Sequence, residues 1–137
     1  MVDNGASSVA GRLKRRTQAC VLVLDGERVA LCHGATTTIV GRDDIILAES
    51  ERNVTRIITG DEAFCVHAPF HSVLKRLTEV GMIQVHRRVA VNPRKVRQLV
   101  GRGQHRLLML LNDGRSVSVG RNYQSHVKRQ FGATLQK

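Results

Sequence analysis

The chain has 137 residues, of which 42% are hydrophobic, so it is long enough for one compact domain with a buried core. It contains no apolar run near the roughly 20 residues of a membrane-spanning helix, and its N-terminus lacks the apolar segment of a secretory signal. Three cysteines without a CxxC pair favour a reducing compartment, so we expect a cytoplasmic protein without membrane contact.

The net charge of +11 is confined to one part of the chain. Residues 1–81 contain 10 Lys/Arg and 10 Asp/Glu, whereas residues 82–137 contain 12 Lys/Arg and one acid, Asp113. Such a basic segment favours a polyanionic partner, because binding to phosphates releases condensed counterions. A solvated basic face without a partner is the alternative. Aromatic residues are few, which favours duplex over single-stranded nucleic acid, since single strands stack on aromatic side chains.

The N-terminal part is predicted to contain a basic arm followed by β-strands. Residues 1–18 are small, polar and basic, and we interpret them as a flexible arm. CVLVL and ERVALC flank Asp25-Gly26, a pattern typical of a tight hairpin, so residues 19–34 are predicted to form an extra N-terminal hairpin. Further strands are predicted at TTTIV (36–40), DIILAE (44–49), VTRIIT (54–59) and EAFCVHA (62–68), with Gly60-Asp61 between the last two.

The rest of the chain is predicted to contain one clear helix, several strands and a short final helix. FHSVLKRLTEV (70–80) has apolar residues at helical spacing between Pro69 and Gly81. Strands are predicted at MIQVHRRVAV (82–91), KVRQLV (95–100), RLLMLL (106–111) and RSVSVG (115–120), and the final helix at NYQSHVKRQF (122–131). Short strands at regular spacing with few helices predict a mostly β, antiparallel domain.

One predicted strand contains an arginine where an apolar residue is expected. In QVHRRVAVNPRK, Arg87 belongs to the same odd-numbered series as Val85, Val89 and Val91, which share one face of an extended chain. Either the strand begins after Arg87, or this arginine is presented to a partner. We predict that the strand begins near Arg88 or Val89 and that Arg87 is the last residue of a loop.

The cysteines, histidines and acids offer little for metal binding or catalysis. Cys32-His33 and Cys65-x-His67 lack the tight, repeated spacing of zinc sites, so buried cysteines and surface histidines are the simpler interpretation. Most of the acids are accounted for by turns and strand ends. We therefore predict no enzyme activity, no metal and no cofactor.

VHRRVAVNPRKVRQLV, followed by LLMLLNDGRSVSVGRNYQSHVKRQF, resembles the LytTR DNA-binding domain of bacterial transcriptional regulators. That family shows a His-Arg-Ser segment before a strand ending in Asn, then a hairpin around an Asn-Gly-like turn, and a Ser-Arg before the last helix. The corresponding residues here are His86-Arg87-Arg88, Asn92, Asn112-Asp113-Gly114 and Gly120-Arg121. Arg88 and Gly120 replace the family's usual serines. The resemblance covers roughly residues 35–132 and leaves 133–137 as a C-terminal tail.

The resemblance implies an elongated, mostly β arrangement of small antiparallel sheets with one or two short helices. It also implies a sequence-specific transcriptional regulator that inserts loops into successive major grooves of double-stranded DNA, typically at direct repeats. We expect Arg87 and Arg121 to share one exposed surface. The predicted base contacts are Arg52, Asn53, Thr55, Arg87 and Arg121. The predicted contacts to the DNA backbone are His86, Arg88, Arg94, Lys95, Arg97, Asn122, Lys128 and Arg129.

Two other classes of function remain open. The charge alone allows an RNA- or ribosome-associated basic protein. A protein-interaction module or anti-regulator of LytTR origin would use the extra hairpin to bind a second regulator. The candidate protein partners are a second copy of the chain, in a homodimer on DNA, and a regulatory protein. The segment before the resemblance is too short for a receiver domain, so we expect a stand-alone regulator or an excised output domain.

Overall fold

A computed structural model describes residues 14–60 and 62–132, apart from the side chains of residues 14–19 and 33. Within them the chain forms eleven β-strands and two α-helices. The strands are β1 (Lys14–Asp25), β2 (Arg28–His33), β3 (Thr36–Gly41), β4 (Leu47–Glu51), β5 (Val54–Thr59), β6 (Glu62–Val66), β7 (Ile83–His86), β8 (Val89–Val91), β9 (Val96–Gly101), β10 (Leu107–Leu111) and β11 (Ser116–Val119). The helices are α1 (Phe70–Leu77) and α2 (Gln124–Gln130).

The strands form three antiparallel groups. Their orders are β3-β2-β1, β6-β5-β4-β8-β7 and β11-β10-β9. A parallel pairing between β1 and β6 joins the first two groups into one eight-stranded sheet. The predicted fold class, mostly β with small antiparallel sheets and short helices, is confirmed, with this one parallel pair added.

The eight-stranded sheet buries both of its faces. Leu47 and Ala48 are neighbours in β4 but belong to different hydrophobic clusters, because successive strand side chains point to opposite faces. The Ala48 cluster includes Val73 of α1. The Leu47 cluster includes Met109 of β10 and Val127 of α2. The eight-stranded sheet therefore lies between α1 on one side and the three-stranded sheet of β9, β10 and β11, with α2, on the other.

The predicted helix over residues 70–80 is present, and its end follows the sequence signal. α1 ends at Leu77 and continues as a 3-10 turn, Thr78–Val80. Gly81 closes this turn with φ of 95°, a left-handed conformation that costs little without a Cβ. Glycine is therefore the residue that lets the chain leave the helix and enter β7.

Residues 82–91 form a hairpin, whereas the sequence predicted a single strand. β7 ends at His86, which lies opposite Val89 of β8, so Arg87 and Arg88 form the turn. Val85 and Val91 are buried, and Arg87 is exposed. The predicted strand start near Val89 is confirmed. Arg87 lies outside the valine face because the chain reverses direction at that residue.

β1 begins inside the segment that the sequence assigned to a flexible arm. Residues 14–16 pair in parallel with residues 62–64 of β6. Backbone pairing with an available sheet edge does not depend on apolar side chains, so a polar segment can join the sheet there. The remainder of the arm, residue 61 of the predicted Gly60-Asp61 turn and the predicted C-terminal tail lie outside the described residues.

The predicted turn between β1 and β2 is held by Asp25. Its carboxylate accepts a hydrogen bond from the Glu27 amide at 2.8 Å and one from the Arg28 guanidinium at 3.0 Å. These bonds, chiefly the one from the Glu27 amide, lower the pKa of Asp25.

In the part of the chain that the structure describes, no helix is long and apolar enough to cross a membrane.

Candidate nucleic-acid interface

Two hairpin tips lie side by side at one end of the eight-stranded sheet. One tip is the β4–β5 turn, Arg52-Asn53, and the other is the β7–β8 turn, Arg87-Arg88. β4 and β8 are antiparallel neighbours, and the amide of Ser50 donates a hydrogen bond to the carbonyl of Arg88 at 2.8 Å. All four turn residues are exposed, so two of the predicted contact segments form one basic edge.

A third predicted segment adjoins the second tip. The amide of Gly120 donates to the carbonyl of Val85 in β7 at 2.8 Å. Arg121 and Asn122 follow immediately, and both are exposed. Arg87 and Arg121 therefore lie on neighbouring exposed segments, as the sequence led us to expect.

The glycine that replaces the family's serine lies in a crowded position. A Cβ atom at Gly120 would come within 3.0 Å of the Tyr123 ring and 3.5 Å of the His86 Cα. A serine here would force the ring to shift. The glycine is thus explained by the close approach of the Tyr123 ring to residue 120.

The β7–β8 tip is fixed by its own side chains. The half-buried His86 accepts a hydrogen bond at Nδ1 from the Arg88 amide, at 3.1 Å. Gln84 donates through Nε2 to the carbonyls of His86 and Arg87, at 3.2 and 3.4 Å. The backbone that carries Arg87 and Arg88 is therefore held before any ligand binds. The predicted role of His86 in backbone contact stays a prediction.

Two acidic residues beside the β4–β5 tip are paired with Arg56. Its guanidinium lies 3.1 Å from a carboxylate oxygen of Glu49 and 3.4 Å from one of Glu51. The Arg56 side chain is only 20% exposed, whereas that of Glu51 is 58% exposed, so the arginine is largely covered and Glu51 faces solvent. Arg52 at the tip has a left-handed φ of 60°, which non-glycine residues adopt at a cost.

Thr55, predicted to contact a base, is fully buried. Its relative exposure is 0%, and its hydroxyl donates a hydrogen bond to the carbonyl of Ala68 at 3.2 Å. The prediction for Thr55 is therefore wrong, because a side chain without exposed surface cannot contact a base edge. Thr55 belongs to the predicted loop by its position in the sequence, but its side chain points from β5 into the protein.

Three predicted backbone contacts lie away from this end. Arg94 and Lys95 follow β8, at the opposite end of that strand from Arg88. Arg94 is paired with the carboxylate of Asp43 at 3.2 Å. Arg97 follows Val96, which begins β9 at the end of the three-stranded sheet remote from Gly120. The structure thus separates the predicted contacts into two groups.

Comparison with known proteins identifies the family. The family model described as the LytTr DNA-binding domain matches residues 35–132. The chain belongs to the LytTR family. A similar solved structure is the LytTr DNA-binding domain of a protein described as a methyl-accepting/DNA response regulator from Bacillus cereus. Its TM-score is 0.66 at 17% identity, over 77% of this chain and 97% of that one, which shows a shared fold. No curated protein matches the chain.

The LytTR domain has a fourth basic segment at the same end as Arg121. Leu107 lies opposite both Gly101 and Val119, so the β9–β10 loop, residues 102–106, is at the end of the sheet where Gly120 follows β11. Arg102 and Arg106 of this loop are not among the residues that the sequence predicted to contact DNA. Their position beside Arg121 depends on the pairing of β10 with β9 and β11, which the sequence pattern did not reveal.

The remaining predicted contacts lie on α2. Lys128 and Arg129 are exposed in its last turn, and Val127 between them and the helix start is buried against the three-stranded sheet. Tyr123 and Phe131 pack on the same cluster. Among residues 14–60 and 62–132, no three His, Cys, Asp or Glu side chains are placed to hold a metal ion.

Proposed function

We propose that this LytTR domain binds double-stranded DNA in a sequence-specific manner and acts as a transcriptional regulator in the cytoplasm, without catalysing a reaction. The family is a DNA-binding one. The observation that supports the finer proposal is the adjacency of three exposed segments. They are linked by the hydrogen bonds from Ser50 to Arg88 and from Gly120 to Val85.

Base contacts are assigned to Arg52, Asn53, Arg87 and Arg121. The fork of an arginine matches the O6 and N7 acceptors of guanine, and asparagine matches the N6 and N7 atoms of adenine. The β7–β8 tip is held by hydrogen bonds of Gln84 and His86, which lowers the entropy lost when Arg87 meets a base. We propose that the tips and the Arg121 segment enter successive major grooves, at sites arranged as direct repeats.

Phosphate contacts are assigned to basic and polar residues around these tips. Such contacts position the protein on the duplex but do not read its sequence. The members of this set near the tips or on α2 are His86, Arg88, Asn122, Lys128 and Arg129. Arg94, Lys95 and Arg97 belong to the predicted set but lie at the other end, so they contact DNA only if the duplex extends past β8 and β9.

A titration of Arg121→Ala tests the base-reading role. The wild-type chain first selects duplexes from a random library, and binding is then measured on a selected and a scrambled duplex. We expect the selected duplex to lose about 1–3 kcal/mol and the preference at one base position to relax. Arg76→Ala, on the exposed side of α1, removes the same charge outside the interface and serves as the control. Equal loss on both duplexes would make Arg121 a phosphate contact.

A homodimer on DNA is supported by an apolar surface on the group of strands β1, β2 and β3. Leu22, Leu24 and Ile39 are 47%, 47% and 50% exposed, and Leu22 and Ile39 lie on either side of Ala30 in one row across three strands. We propose this face as the dimer contact or the site of a regulatory protein. Sedimentation of wild type and Leu22→Ser/Ile39→Ser, with and without DNA, tests it, and an unchanged mass would contradict the dimer.

An RNA-binding function is tested by competition. Structured RNA and the selected duplex compete for the same chain at fixed salt. Preference for the duplex is expected, because few aromatic side chains are available for stacking of unpaired bases. Preference for RNA would contradict the proposed regulator.

A further inference from the structure

We propose that the β9–β10 loop is a fourth DNA-contacting segment, in which Arg102 and Arg106 bind phosphates beside the groove that Arg121 enters. This inference rests on the proposed DNA binding and extends it beyond the three segments implied by the family resemblance. The ligand is the phosphate backbone of a DNA duplex.

The strand register places the loop next to the proposed interface. β10 is the central strand of its sheet, and its first residue, Leu107, pairs with the last residue of both neighbouring strands. The loop therefore leaves the sheet at the same end as the segment that begins with Gly120. Residues 102–106 are all exposed.

The loop is tied directly to the segment that carries Arg121. Gln124, the first residue of α2, donates a hydrogen bond through Nε2 to the carbonyl of His105 at 2.6 Å. Gln124 follows Arg121 by three residues, and a 3-10 turn joins them. A contact made by the loop is thus fixed in position relative to a contact made by Arg121.

The loop backbone is held in a costly conformation. Gly103, Gln104 and His105 have φ values of 70°, 47° and 64°. Two of these residues are not glycine, and non-glycine residues adopt left-handed conformations at a cost. Hydrogen bonds from the Arg102 amide to the Arg106 carbonyl and from the Arg106 amide to the Gly103 carbonyl, both 2.9 Å, close the turn. Solubility would explain two exposed arginines, but it does not require a strained turn that spaces them.

The arginines of the loop have no acidic partner among the described residues. Asp113 is the one acid of residues 82–137, and it pairs with Arg115 at 3.1 Å. That pair lies in the β10–β11 turn, at the opposite end of the sheet. Within the described part of the chain, Arg102 and Arg106 form no ion pair. Their guanidinium groups are therefore available for charge-assisted hydrogen bonds to phosphate.

The experiment measures salt dependence of binding for loop variants. The wild-type chain, Arg102→Ala/Arg106→Ala and Arg102→Lys/Arg106→Lys are titrated by fluorescence anisotropy with the selected and the scrambled duplex, over a series of KCl concentrations. Lys75→Ala/Arg76→Ala removes two exposed positive charges from α1 and is the matched control. Thermal melting checks that each variant is folded.

The alanine variant should lower the slope of log K against log salt by about two units, because two phosphate contacts are lost. Both duplexes should weaken by the same factor, and the lysine and control variants should keep the wild-type slope. An alanine slope equal to that of wild type, or an equal loss in the lysine variant, would overturn the inference alone. Failure of the wild type to bind any duplex would overturn the proposed function and the inference together.

Discussion

Asn92 is the family's strand-ending asparagine, and its structural role predicts a large loss of stability on substitution. It is 5% exposed, and its Nδ2 donates to the carbonyls of Arg42 and Ile45 at 2.6 and 2.9 Å. Its Oδ1 accepts from the Arg94 amide at 3.0 Å and begins the 3-10 turn Pro93–Lys95. One side chain thus joins the segment before β4 to the end of β8.

The Asn92→Ala change removes three hydrogen bonds. The Ile45 carbonyl and the Arg94 amide lose the Asn92 side chain as their partner, whereas the Arg42 carbonyl keeps the bond from the Ile45 amide. At about 1 kcal/mol for each bond, the free energy of unfolding should fall by about 3 kcal/mol. For a domain of this size that loss corresponds to about 10 °C in Tm. Urea unfolding followed by circular dichroism measures the first quantity, and thermal melting measures the second.

Asn112→Ala is the matched control for this prediction. Asn112 is exposed in the β10–β11 turn. Its backbone amide donates a hydrogen bond to the carbonyl of Lys95, and alanine keeps this bond. Its stability should change by less than about 0.5 kcal/mol. DNA affinity of Asn92→Ala, measured well below its Tm, should match wild type, since Asn92 lies at the opposite end of β8 from Arg88. A stability loss below about 1 kcal/mol would refute the reasoning.

Arg56→Met should weaken binding to selected and scrambled duplexes alike by about 1 kcal/mol, because the carboxylates that Arg56 pairs with near the β4–β5 tip would then face phosphates. Adding Glu51→Gln should restore part of the affinity in the same anisotropy titration, and no change in either variant would contradict the neutralising role. Mild oxidation should join Cys20 and Cys32 in an intramolecular disulfide, since they lie directly opposite each other in β1 and β2, about 4.5–5.5 Å apart at Cα. Mass spectrometry should show this crosslink with the buried Cys65 unmodified, and labelling of both thiols after oxidation would argue against the register.

The sequence predicted the strands and helices well because their signals are local. Apolar spacing placed α1, and glycine marked its end at Gly81. Alternation also showed that Arg87 did not fit a strand, although it did not show that the chain reverses there. A tight turn without glycine, proline or asparagine lacks the usual composition signal, so β7 and β8 were read as one strand.

The interface was predicted less completely because its assembly depends on pairing between distant strands. Thr55 follows the exposed tip by two residues, yet the side it takes on β5 buries it. Arg97 belongs to one predicted strand, and Arg102 belongs to the turn that follows this strand. They lie at opposite ends of the three-stranded sheet, and only the register of β9 against β10 shows which end adjoins Gly120.

The motif residues of the LytTR domain divide into two groups by exposure. Asn92 is buried and Gly120 is packed between Tyr123 and the β7–β8 hairpin, whereas Arg87 and Arg121 are exposed. Residues of the first group hold the segments in place, so their substitution should lower stability before it changes sequence preference. Residues of the second group make few contacts within the protein, so their substitution should change DNA affinity at constant stability. A variant of Arg87 or Arg121 that unfolds the domain would therefore contradict its assignment as a contact residue, independently of any DNA measurement.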